Sequence, residues 1–107
     1  MENSEKYDHL PYNQRQFCHM SDAIRAYFDH SISLYELKNT LTGLLYALET
    51  MPDDWMGQFE MLLNTIEDDY VVKRAMQVPV TDDDIHLIHQ AIYQMNDMIS
   101  LFLPDKE

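Results

Sequence analysis

The sequence predicts an all-α protein, a single-domain antiparallel helical bundle of three long helices plus one short N-terminal helix. Three observations carry that expectation. Only two glycines and four prolines occur in 107 residues, whereas sandwiches and barrels need turn residues roughly every 8 to 12 positions. Apolar residues recur at helical spacing over three long stretches. Those stretches open on capping signals and are joined by short turns, so consecutive helices are expected to run in opposite directions. A chain of this length fits one domain and can bury ~60 to 70% of its unfolded surface without metals or disulfides. At 46% apolar with seven Tyr, four Phe and one Trp, it carries too much oily surface to remain disordered.

The elements follow in order. Residues 1–20, with His9, Pro11 and His19, show no clear period and are read as an N-terminal arm, expected to be partly disordered. The bundle domain is read over 21–107. From Ser21, the stripe Ala23, Ile24, Tyr27 and Phe28 predicts a short first helix ending near Asp29, with Ser21 or Asp22 as N-cap. Ser33 with Glu36 forms a capping box, and Ile32 with Leu37 a hydrophobic staple, so the second helix starts there. Its stripe is Leu34, Leu37, Leu41, Leu44, Leu45 and Leu48, running to Met51-Pro52. Gly43 lies inside it, and close approach of a neighbouring helix is the expected reason.

Pro52-Asp53-Asp54 opens the third helix, where proline suits the first turn and the acids complement the positive end of the dipole. Trp55, Phe59, Leu62, Leu63, Ile66 and Tyr70 form its buried stripe, with Ala75 a candidate extension and Lys73 and Arg74 near its C-terminal end. Val78-Pro79-Val80 reads as a stiff extended connector. Thr81 with Asp84 caps the last helix, Val80 with Ile85 repeats the staple, and Ile85, Ile88, Ile92, Met95, Ile99 and Phe102 follow at 3, 4, 3, 4, 3 spacing until Pro104. That seam also resembles a coiled-coil dimer interface, but coiled coils usually sustain roughly three or four heptads and this one is shorter. An intramolecular core, and a monomer, is the favoured expectation.

Function is constrained first by charge. Nineteen acids against seven bases give a formal charge of −12. Nucleic-acid phosphates and anionic headgroups would be repelled, so neither direct nucleic-acid binding nor membrane association is expected. A cationic protein would be attracted, with an on-rate that falls as salt rises. The competing explanation is that the acidity serves solubility alone. The longest apolar run, Leu44 to Leu48, is far short of the ~20 residues that span a bilayer. A single cysteine and an N-terminus without a basic-then-apolar layout point to a soluble protein of the cytoplasm.

Chemical motifs are sparse. His86 and His89, with Asp82 four residues before His86, share a helical face and are zinc-capable ligand types, yet no cysteine pair or second histidine pair accompanies them. Cys18 and His19 are neighbours whose side chains point apart on a regular element. Acidic runs such as Glu67-Asp68-Asp69 read as solvated and not as acid/base pairs, and two isolated glycines cannot build a phosphate loop. No catalytic residue, cofactor or metal is expected, and the protein is read as not an enzyme.

The faces opposite the core are more informative. Tyr35, Lys38, Thr42, Tyr46 and Glu49 share one face of the second helix, since eleven residues make three turns within about 20°. On the third, Asp53, Asp54, Gly57, Glu60, Met61, Asn64, Glu67, Asp68 and Val71 form an acidic face with apolar residues interleaved. Such a mixture suits a protein-binding surface, in which the charged rim steers and a tyrosine or methionine anchors. Glu60, Glu67, Asp68 and Asp69 are the candidate charged contacts, and Tyr35, Tyr46 and Met61 the candidate anchors. The alternative is that these apolar residues are covered by the first helix and the arm.

Ser33-Leu-Tyr-Glu-Leu with Leu-Leu-Tyr-Ala-Leu48, Trp55-x-x-x-Phe59 with Glu67-Asp-Asp-Tyr70, and the Thr-Asp-Asp-Asp start of the last helix together resemble small all-helical bacterial immunity proteins paired with contact-dependent growth inhibition toxins. The similarity spans roughly residues 32 to 103 and lies mostly in core and capping positions. It implies a cytoplasmic antidote that binds a cognate protein toxin with a basic surface, commonly a nuclease, and blocks its active site or substrate surface. It assigns no individual residue a role. The other readings are a small acidic regulator or adaptor of a cellular protein, and a metal- or small-ligand-binding bundle.

Overall fold

Pro11 opens the first helix, well upstream of the stripe at Ser21. In the computed structural model, which describes Tyr7 and residues 9–104, α1 spans Tyr12–Phe28 with Pro11 at its N-cap. The first helix is therefore longer than expected, and residues 12 to 20 are helical rather than irregular; positions 1–6 and 8 of the expected arm lie outside the described residues. Ser21 and Asp22 sit within the helix instead of capping it. The reason is tertiary. Phe17, Met20 and Ile24, at 3, 4 spacing, are 1%, 0% and 5% exposed, and burying side chains of this size contributes about 1.5 to 3 kcal/mol each. The polar residues around them find distant partners. The Asn13 side-chain amide donates to the Glu49 carbonyl at 2.6 Å and accepts from the Glu49 N–H at 3.0 Å, and Gln14 Nε2 donates to the Phe102 carbonyl at 3.3 Å. After Asp29, His30 takes a left-handed φ of 67°. Its N–H donates to the Tyr27 carbonyl while the Ser31 N–H reaches back to Ala26 at 2.8 Å, so helix-end carbonyls are satisfied.

The expected capping box starts α2, Leu34–Ala47: the Glu36 N–H donates to Ser33 Oγ at 3.1 Å and the Ser33 N–H to Glu36 Oε1 at 2.9 Å. Leu34, Leu37, Leu41 and Leu45 are buried, with Leu44 and Leu48 half-buried against the core. The helix stops at Ala47 rather than Met51, because Leu48 is already extended and Thr50 adopts a φ of 57°. Gly43 has no packing duty. A Cβ built there meets nothing within 4 Å, which corrects the expectation of close helix approach.

Pro52 precedes α3, Asp53–Ile66, whose Phe59, Leu62, Leu63 and Ile66 are buried. The helix then widens into a π-helical segment, Glu67–Val71, and continues as α4, Val72–Ala75, a departure that periodicity did not reveal. At its end Gln77 is left-handed (φ 61°) and the Val78 N–H donates to Lys73 at 2.8 Å, a second reversal of the kind seen after α1. Thr81 and Asp84 form the expected box at the start of α5, Asp82–Ser100. Ile88, Ile92, Met95 and Ile99 are all 0% exposed, so the regular seam of this helix forms the intramolecular core.

The chain is thus all-helical, with no strand among the described residues. α1 packs on both α2 and α5, and α3 packs on α5, while α2 and α3 meet more sparsely. One end is closed by rings from distant parts of the chain: Phe17 stacks on Phe102 at 4.9 Å, Trp55 stacks on Phe59 at 5.2 Å, and Phe17 meets Trp55 edge-on at 5.6 Å. The sparse α2–α3 seam opens into a surface valley.

Candidate functional site

The valley is built from two helix faces. From α2 come Lys38, Thr42 and Tyr46, spaced four apart, and from α3 and the π segment come Glu60, Leu63, Asn64 and Glu67, spaced three and four apart. These spacings put each set on one helical face. Together they line a recess of about 310 Å³. Tyr46 Oη donates to Glu60 Oε2 at 2.8 Å, and Lys38 Nζ lies 2.9 Å from Glu67 Oε1. The Glu60 carboxylate, by accepting that hydrogen bond and by its charge, holds the Tyr46 phenol above the ordinary tyrosine range. A second recess is lined by Tyr35, Tyr70, Val71, Arg74 and Ala75.

The structure therefore brings Tyr46, Glu60 and Glu67 together in one recess and places Tyr35 in another. Asp68 is exposed and Asp69 half-buried, and neither lines the valley. Met61 is 65% exposed on the neighbouring face of α3 and is also outside it. With Tyr35 at 53% and Tyr46 at 65% exposure, these anchors are not covered by α1. Glu49 leaves the face assigned to it, because α2 ends before it and its backbone is held by Asn13.

No family model, curated protein or solved structure matches the chain.

Elsewhere the chemistry resolves into structure. His89 Nε2 lies 2.9 Å from Tyr27 Oη, edge-on to the Phe28 ring, and Phe28 stacks on Tyr93. Burial, and secondarily the nearby Tyr70, push the Tyr27 phenol up. His86 is exposed, and among the described residues no group of three or more His, Cys, Asp or Glu side chains could hold a metal ion. Cys18 is buried in α1, while His19 lies on that helix edge-on to Tyr7 at 5.3 Å. No helix of the described residues is long and apolar enough to cross a membrane.

The basic residues decide the electrostatics. Arg25 pairs with Asp22, Lys38 with Glu67, and Lys73 with Asp84. Arg15 donates to the Leu10 carbonyl and lies over the Tyr12 ring, and Arg74 lies over Tyr70. Every Lys and Arg among the described residues is engaged within the fold, so the uncompensated acids dominate the outward field. Two features escaped the sequence. The opposition of Lys38 to Glu67 joins positions on different helices, and the π segment leaves no periodic trace over five residues.

Proposed function

We propose that this protein is a non-catalytic binding protein for a cationic protein and, on its resemblance to helical immunity proteins, that it neutralises a cognate basic toxin domain, commonly a nuclease. The observation that supports the reading is the internal engagement of the bases beside an acidic α3 face carrying exposed Met61, with Tyr46 exposed on the facing α2. A nuclease cleft must be basic to hold phosphates, so a polyanionic surface competes for the same groups. Occlusion needs no reacting side chain. Glu60, Glu67, Asp68 and Asp69 supply the steering charge, with Tyr35, Tyr46 and Met61 as anchors. In this reading the protein is a cytoplasmic monomer, and its successive helices run antiparallel, as their short connections favour.

The test is reversal of Glu60, Glu67, Asp68 and Asp69 to Lys, with association to the toxin encoded beside it measured across salt concentrations. The expected outcome is an association rate lower by at least about tenfold at low salt, with protection of toxin-expressing cells lost. Unchanged binding removes this surface. Recovery of a cellular partner in a toxin-free background would favour an adaptor instead.

A further inference from the structure

We propose that the α2/α3 valley is a receptor for one arginine side chain of the protein partner, and that Lys38 occupies it as an internal placeholder until the partner arrives. The inference rests on the cationic-partner reading and names the chemistry of one contact within it.

The polar lining is rich in hydrogen-bond acceptors. Glu60 and Glu67 present carboxylates. Thr42 Oγ1 donates its proton to the Lys38 carbonyl at 2.8 Å, and Tyr46 donates its own to Glu60 at 2.8 Å. Both hydroxyls are left with lone pairs. Asn64, between the two glutamates on the same face, offers an amide oxygen that accepts and an amide nitrogen that donates. The only cationic donor in the recess is the Lys38 ammonium, 2.9 Å from Glu67 Oε1. A wall of acceptors selects a group rich in donors. A guanidinium carries five in a planar fork that pairs with carboxylates, whereas an ammonium acts as a point charge. The Lys38–Glu67 pair is partly exposed, with side-chain exposures of 22% and 36%, and such pairs are weak and readily exchanged. An incoming arginine would therefore take Glu67 while Lys38 swings to solvent, leaving no carboxylate unpaired.

The full chain is titrated with a short acetylated and amidated Gly-Arg-Gly peptide, followed by NMR, with the neutral citrulline peptide as control. Saturable shifts confined to residues around Thr42, Asn64 and Glu67 are expected with arginine and not with citrulline. Lys38→Met, which removes the competitor, should tighten binding about threefold, and Glu67→Gln should abolish it. Arg25→Met removes the same charge at a distant, exposed site and should change binding far less. Equal gains from Lys38→Met and Arg25→Met, or equal binding of citrulline, would overturn the proposal. The readout requires no toxin: a peptide site without any toxin partner sinks only the toxin reading, and toxin neutralisation without a peptide site sinks only the placeholder.

Discussion

The Lys73 ammonium lies 2.7 Å from Asp84 Oδ2, and the same carboxylate oxygen accepts the Thr81 N–H at 2.9 Å and the Thr81 hydroxyl at 3.1 Å. One side chain thus caps the start of α5 and ties the far end of the α3–α4 rod to it. At 8% exposure Asp84 is the buried charged residue of the described chain. The Lys73 hydrogen bond, followed by that of the Thr81 N–H, holds its carboxyl below the ordinary range.

A carboxyl with a lowered folded-state pKa contributes stability above its unfolded value and loses it as pH falls through the folded value. Asp84→Asn keeps an oxygen for the cap but removes the charge. The wild-type protein should melt higher than Asp84→Asn at neutral pH, and the gap should close as pH falls below about 4. Comparing the two proteins at each pH cancels the background from the remaining acids. A gap that does not narrow at all as pH falls from neutral through the acid range would show that the Lys73 contact is not what Asp84 contributes.

Phe17 lies in a segment that sequence alone leaves without structure, yet it is 1% exposed and touches Trp55 and Phe102. Phe17→Ala is expected to cost about 3 to 5 kcal/mol, measured by urea denaturation. A cost below about 1 kcal/mol would place residues 12 to 20 outside the core.

Gly43 lies in α2 with open space where a Cβ would go. Gly43→Ala should raise stability by about 0.5 to 1 kcal/mol through helix propensity alone. Loss of stability would mean that another surface packs there.

Thr50 is β-branched at a φ of 57°, a region such residues avoid at a cost of roughly 1 to 2 kcal/mol. Thr50→Asn, a residue more tolerant of that backbone, should raise the thermal midpoint, and a lower midpoint would mean that the threonine side chain supports the α2–α3 connection.

Both capping boxes, the leucine stripe of α2 and the isoleucine seam of α5 were legible in the chain, because each is written in residues three and four apart that meet whatever surrounds them. The start of α1 was not, since Pro11 lacks a side-chain acceptor and the helix is held by Asn13 on Glu49 and Gln14 on Phe102, partners far away in sequence. The candidate surface divides in the same way. Helical periodicity placed Tyr35 with Tyr46 and Glu60 with Glu67, each pair on its own helix. That Tyr46 would meet Glu60, Lys38 would meet Glu67, and Met61, Asp68 and Asp69 would stay outside the valley depended on how two helices lean together. That lean is set by the packing of both against the rest of the core, which no local spacing encodes.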